Sequence, residues 1–295
     1  KNADAAMYKA KELGRNCYQY YTEDMHALSL ERLAMESDLR KALQNREFEL
    51  YYQPKADSSD GHICGMEALL RWNHPQRGLL APDQFLHYLE DTGLINPVGE
   101  WVVQTACQEA RHWLHEGYPP MRISVNLSST QFRSDDIVER IANVLNENQL
   151  APQLLEVEIT ENLLIENTDD AIKIIEQLKE LGIIVSIDDF GTGYSSLNYL
   201  KSFPIDYIKI DRTFIRDLQS NAKDAAITSA IANLARSLDM QVVAEGVENP
   251  EQMEFLKQQG CQQIQGYLIG KPMPMPAMKD LIDHELGADE ALATV

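Results

Sequence analysis

Along RISVNLS, residues 122 to 128, apolar and polar side chains alternate: Ile123, Val125 and Leu127 fall on one parity, Arg122, Ser124 and Asn126 on the other. The alternation returns in LLEVEITE (154–161), where Leu155, Val157 and Ile159 oppose Glu156 and Glu158. In IIVSIDDF (183–190), Ile183, Val185 and Ile187 oppose Ser186 and Asp188. Period two is the signature of a strand. The β-rich runs FELYYQP (48–54), ICGMEALLRW (63–72), DYIKID (206–211), MQVVAEGV (240–247) and CQQIQGYLI (261–269) bring the predicted strands to eight. Helical spacing fills the intervals, with readable ends. SDDIVERIANVL opens with Ser134 as an N-cap, AIKIIEQLKELG closes on Gly182, and NPEQMEFLKQQG has Asn249 as cap, Pro250 at N1 and Gly260 past its end.

Strand and helix in alternation predict an α/β protein with a largely parallel sheet. Eight such strands in ~250 residues favour a TIM-type (β/α)8 barrel over an open doubly wound sheet. In that barrel the apolar parity packs on the outer helices, so the polar parity faces the lumen. Near the C-terminal strand ends the inward line reads Glu67, Asn126, Glu158, Asp188, Lys209, Glu245 and Gln265. Like charges facing one cavity cost several kcal/mol and raise one another's pKa values unless cations neutralise them. The all-oxygen set selects Mg2+ or Mn2+ over zinc. Asp189 can join Asp188 because the strand ends there and Gly191 and Gly193 free the backbone; two metals sharing one carboxylate would explain the doublet.

Composition narrows the partners. Hydrophobic residues are 44% and charged residues 24% of 295, as in an ordinary folded protein. The formal net charge of −20, from 46 acids against 26 Lys plus Arg, repels duplex nucleic acid and anionic membrane. No apolar run approaches the ~20 residues that span a bilayer. Cys17, Cys64, Cys107 and Cys261 are widely spaced, which predicts reduced core thiols in a cytoplasmic setting.

The motifs EALLRW (67–72), NLS (126–128), EITE (158–161), DDFGTGYSSLNYL (188–200), IKID (208–211), AEGVE (244–248) and QGY (265–267) resemble the EAL-domain cyclic di-GMP phosphodiesterases, over about Leu33 to Ile282. Residues 1–21 resemble the last helix and strand of a GGDEF diguanylate-cyclase domain whose body is absent. The resemblance implies a linker helix over 22–43, a phosphodiesterase barrel with one antiparallel strand over 44–286, and a disordered tail at 287–295. It makes the chain a piece of a longer protein, one that a missing N-terminal region could tether to a membrane, and implies a homodimer through the barrel. Leu30, Leu33 and Leu39 give the linker helix an apolar packing stripe.

Carried over by motif, Glu67, Asn126, Glu158 and Asp188 match the ligands of one metal, and Asp188, Asp189 and Glu245 those of a second. Lys209 matches the lysine that contacts the attacking water, and Gln53 and Arg71 match substrate-contacting positions. Gln265 and Glu248 match positions behind the ligands, and Glu161 the glutamate that steadies the DDFGTG loop. The resemblance thus implies hydrolysis of cyclic di-GMP to linear pGpG with two Mg2+ or Mn2+, Ca2+ binding without turnover. The family's usual serine is Asn162 here, and YLIGKP replaces its commoner run; neither touches a proposed ligand. The competing readings are a non-catalytic cyclic di-GMP sensor or protein-interaction module, and another metal-dependent barrel enzyme such as an enolising lyase. Inward parity also predicts a buried Arg122–Glu156 ion pair below the site. His62, His74 and His87 are expected to face solvent or cap turns, and KPMPMPAMKD to be an exposed or barrel-capping connector.

Overall fold

A computed structural model describes residues 7, 17–20, 22–166, 168–193 and 200–293. The segment resembling a GGDEF end lies almost wholly outside the described residues, as do positions 194–199 of the DDFGTGYSSLNYL motif. Nine strands are described: β1 (Phe48–Asp57), β2 (Ile63–His74), β3 (Gly78–Leu80), β4 (Arg122–Asn126), β5 (Leu155–Thr160), β6 (Ile184–Phe190), β7 (Tyr207–Ile210), β8 (Gln241–Glu245) and β9 (Gln263–Gln265). Their order is β1-β9-β8-β7-β6-β5-β4-β2-β3, and β1 also pairs with β2, which closes an eight-stranded ring. From β2 through β4 to β9 the ring neighbours are parallel, whereas β1 is antiparallel to β9. The barrel and its single reversed strand are as expected. β3 is additional: three residues carry no period to read, and it forms by antiparallel pairing with the end of β2.

Two compact units make up the chain: Lys1–Glu49 with Arg71–Val98, and Leu50–Leu70 with Gly99–Val295. In the larger unit the parity argument holds. Ile123, Val125, Val157, Ile159, Val185, Ile187, Ile208, Ile210 and Ile264 are buried, and so are the opposite-parity polar residues Ser124, Glu156, Glu158, Ser186, Lys209 and Gln265. A polar set buried as completely as its apolar counterpart is a lumen, not a solvated rim. The helix Pro250–Gln259 has the predicted ends: Asn249 and Gln252 form a capping box, Pro250 opens it and Gly260 closes it at φ 80°. The helix after β4 starts later than predicted, at Ile137 with Asp136 as N-cap. Ser134 is no cap because its hydroxyl donates to Asp136 and accepts from Arg140.

Met275 begins a helix that runs to Ala293, with Met275 and Met278 buried. The methionine run is therefore partly core, and the helix extends into the segment read as a tail. Cys107 and Cys261 are buried and Cys64 half-buried, but Cys17 is exposed, against the expectation of a core thiol. His62 is half-exposed beside Glu285, at 2.9 Å.

In the smaller unit, the helix Glu23–Asn45 buries Met35, Leu39 and Ala42. Leu30 and Leu33 are exposed, so the expected stripe is displaced to the helix's C-terminal half. Phe48, Trp72 and Phe85 pack their rings at 5.6–6.0 Å between centroids. His74 is buried and caps a turn, its Nδ1 accepting from the backbone N–H groups of Gln76 and Arg77, while His87 is exposed. No helix among the described residues is long and apolar enough to cross a membrane.

Candidate active site

The polar parity converges where the larger unit's strands end. Lys209 of β7, fully buried, is the hub: its Nζ lies 2.5 Å from Glu158 Oε2, 2.6 Å from Glu245 Oε1, 3.0 Å from Asp188 Oδ1 and 3.6 Å from Glu67 Oε2. These carboxylates come from β5, β8, β6 and β2, brought together by the parallel register that sets Asn126 beside Glu158 and Lys209 beside Val243. Glu67 is held from two further sides. Asn126 Nδ2 donates to its Oε1 at 2.7 Å and Gln265 Nε2 to its Oε2 at 2.6 Å. Gln265 also donates to Gln53 Oε1 at 3.1 Å, and Gln53 donates to the Gly270 carbonyl at 3.1 Å.

Asp188 and Asp189 do share a side, but by another route than the glycines alone. Asp189 itself is left-handed at φ 54°, and the β6–β7 register breaks between Ile187 and Phe190. That bulge turns the second carboxylate back toward the first. Oxygens of Asp188, Asp189 and Glu245 all lie within 4.8 Å of one another. Glu161 caps the arrangement: its Oε2 accepts from Gly191 N at 2.8 Å, and a Cβ on Gly193 would come within 2.8 Å of its Oε1.

Electrostatics follow from this crowding. Burial, then the charges of Glu158 and Asp188, pushes the Glu67 carboxyl up, and burial raises Glu245 well above the carboxylate range. Partial burial, Asp188 and Asp211 hold Asp189 at about 6. Burial opposes ionisation of Glu158 too, yet Lys209 and Lys55 outweigh it and keep that carboxyl at about 2. Burial would discharge Lys209, but Asp188, Glu158 and Glu245 reverse this and hold its ammonium charged. Lys209 thus pairs with Glu158 and Asp188 and, beyond them, with Glu245 and Glu67.

The donor set fits hard divalent cations. One oxygen each of Asp188, Asp189 and Glu245 lies within 4.8 Å of the others, an all-carboxylate cluster of the kind that holds a hard divalent cation, with Lys209 beside it. Glu67, Asn126 and Glu158 adjoin Asp188 through the same lysine and the Asn126–Glu67 bond. Arg71 stands half-buried on β2 in the smaller unit, four residues beyond Glu67. Glu248 is exposed, and it is its backbone N–H that is engaged, donating to Gln252 Oε1 at 2.7 Å.

Below this layer the sequence reading found one pair and missed two residues. Arg122 Nη1 lies 3.6 Å from Glu156 Oε2, so the expected pair is present, but only Glu156 is buried and Arg122 is 26% exposed. Lys55, the missed partner, is 2% exposed and bonded to both Glu156 and Glu158. Its signal was parity: it is two residues from Gln53, beyond the run read as strand. Asp211, after Lys209 in the polar parity of β7, is buried against Asp189 and caps the next turn through Thr213 N at 2.9 Å.

Comparison with known proteins places these residues in a family. The EAL domain matches residues 36–272. The bifunctional diguanylate cyclase/cyclic di-GMP phosphodiesterase MucR of Pseudomonas aeruginosa is 49% identical over 273 residues, 92% of this chain and 40% of its own length. The cyclic di-GMP phosphodiesterase NbdA of the same organism is 40% identical over 282 residues, 96% of this chain and 36% of its own. The chain thus spans about two fifths of the length of these relatives. Among solved structures, the PaMucR phosphodiesterase in complex with c-di-GMP is 48% identical, with a TM-score of 0.81, covering 83% of this chain and 99% of that one.

Proposed function

This chain belongs to the EAL-domain family, and from that premise we propose that it hydrolyses cyclic di-GMP to linear pGpG with two Mg2+ or Mn2+ ions. The observation that carries the reading is the convergence of Glu67, Glu158, Asp188 and Glu245 on one buried lysine, with Asp189 alongside. Relatives named as cyclic di-GMP phosphodiesterases and a related structure holding c-di-GMP support it.

Glu67, Asn126, Glu158 and Asp188 would hold one cation, and Asp188, Asp189 and Glu245 the other. Bound there, two divalent ions acidify a water, offset phosphate charge and stabilise the departing 3′ oxygen. The protein's own part is placement. Lys209, charged and held by four carboxylates, orients the nucleophile and is not a free base. Gln265 and Asn126 fix both oxygens of Glu67, so that ligand does not rotate. Gln53, tied to Gln265, and Arg71 would contact the nucleotide, as their motifs imply, the guanidinium holding a phosphate oxygen. The reading includes a homodimer, checked by light scattering on the purified chain.

Incubation with cyclic di-GMP and Mg2+, followed by chromatography, should yield pGpG, and Ca2+ in place of Mg2+ should yield none. Intact nucleotide with Mg2+ and with Mn2+, in a protein that still binds it, would leave a sensor instead of an enzyme.

A further inference from the structure

Beneath the carboxylate layer runs a second buried charge system. Lys55 of β1 places Nζ 2.7 Å from Glu158 Oε1 and 3.1 Å from Glu156 Oε1. Glu156 also accepts from Ser186 Oγ at 2.5 Å and faces Arg122. Glu158, fully buried, therefore has one oxygen on each of two ammonium groups: Oε2 on Lys209 and Oε1 on Lys55. The two lysines differ in what else they touch. Lys209 is shared with Glu67, Asp188 and Glu245, the proposed ligands, so a cation entering among them competes with it. The second partner of Lys55 is Glu156, on the far side from that group and balancing its charge.

We infer that Lys55 is a positioning residue for metal binding: it clamps Glu158 Oε1 from below, so that this carboxylate presents Oε2 to a cation in one orientation. This inference rests on the two-metal reading above. A buried carboxylate without such a partner is free to turn, which takes its ligand oxygen out of place. Glu156, itself held by Ser186 and Arg122, fixes the Lys55 ammonium in place, a role that a glutamine oxygen can also fill.

The test is Mn2+ binding by electron paramagnetic resonance, in the absence of nucleotide, on the whole chain. Lys55→Met should weaken Mn2+ affinity by roughly 10- to 100-fold, the range for removal of a group that orients a ligand. Glu156→Gln, which leaves the ammonium on Glu158, should stay within about threefold of the unsubstituted protein. Because Lys55→Met takes one cation from Glu156, leaving it Arg122 and Ser186, and can destabilise the barrel, the decisive variant is Lys55→Met/Glu156→Gln, which removes both members of the pair. Its melting temperature should recover toward the starting value while its Mn2+ affinity stays weak. At saturating Mn2+ its kcat should return to within a few-fold, with KM for cyclic di-GMP unchanged. A folded double variant with undiminished Mn2+ affinity would overturn the clamp. If the unsubstituted protein itself takes up no Mn2+, the clamp falls together with the metal reading beneath it, a result distinct from the first.

Discussion

On Lys209 a structural role and the proposed chemical one fall to a single side chain, and substitution can separate them. Its ammonium is the shared counter-ion of Glu67, Glu158, Asp188 and Glu245. Removing one partner of a buried ion pair costs about 3–5 kcal/mol because the other charge is left uncompensated. Lys209→Met should therefore lower the melting temperature in EDTA. Mn2+, no longer competing with the ammonium, should restore it by a larger increment than in the unsubstituted protein. Turnover of cyclic di-GMP should nonetheless stay lost, since the nucleophile has no orienting donor. Scanning fluorimetry with and without Mn2+, beside a product assay, reads both; full activity in the Mn2+-loaded variant would confine the lysine to structure. Asp188→Ala, which removes the carboxylate common to both cation positions, should reduce hydrolysis to the uncatalysed background. These residues were legible because each stands at the polar parity of an alternating strand. Lys55 was not, because the readable run FELYYQP stops at Pro54, one residue short of it, while β1 continues to Asp57.

At the level of elements, the ends of strands matter more than their middles. β4 to β6 declare themselves by alternation and β7 and β8 as β-rich runs, but two backbone features that aim the site leave no period. One is the left-handed Asp189, whose bulge brings its carboxylate beside Asp188; nothing in the letters DD distinguishes that from ordinary strand. The other is Gly266, after β9, which lies against the turn following Glu245. A Cβ there would come within 2.1 Å of the Val247 carbonyl oxygen and 2.3 Å of its nitrogen. Backbone cannot move aside as a side chain does, so Gly266→Ala forces apart the segments bearing Gln265 and Glu245. Overpacking of this kind costs typically 1–3 kcal/mol. The variant should melt lower and lose kcat, whereas helical Gly287→Ala, with no atom within 4 Å of the added carbon, should be neutral or stabilise by up to ~1 kcal/mol. Equal effects of the two would mean that the close approach does not position the site. Ser134 shows the converse limit: a good capping residue is drawn off by Asp136 and Arg140, and local propensity yields to side-chain partners.

The whole molecule carries a net charge of −20, and its stability is linked to pH through the same carboxylates that make the site. Asp189 keeps its proton up to about 6 in the folded chain, against 3.8 for the free side chain. Between those values the folded state binds more protons than the unfolded one, so stability falls as pH rises through that window. Glu67 and Glu245, raised by burial, act in the same sense. Glu158 acts oppositely. Held at about 2 against 4.5, its contribution is fully present above the latter and is lost only as pH falls toward the former. In EDTA the melting temperature should therefore decline from about pH 4.5 to 6. Cation binding requires these groups deprotonated, so the increase in melting temperature on adding Mg2+ should be small near pH 5 and grow as pH rises through about 6. General repulsion among surface acids also favours acid pH in EDTA, but it gives no step in the Mg2+ increment. Asp189→Asn separates the two: it should flatten the step near pH 6 and leave the broad decline in place. A Mg2+ increment that is the same at every pH in the unsubstituted protein would mean that the raised carboxylates do not receive the ion.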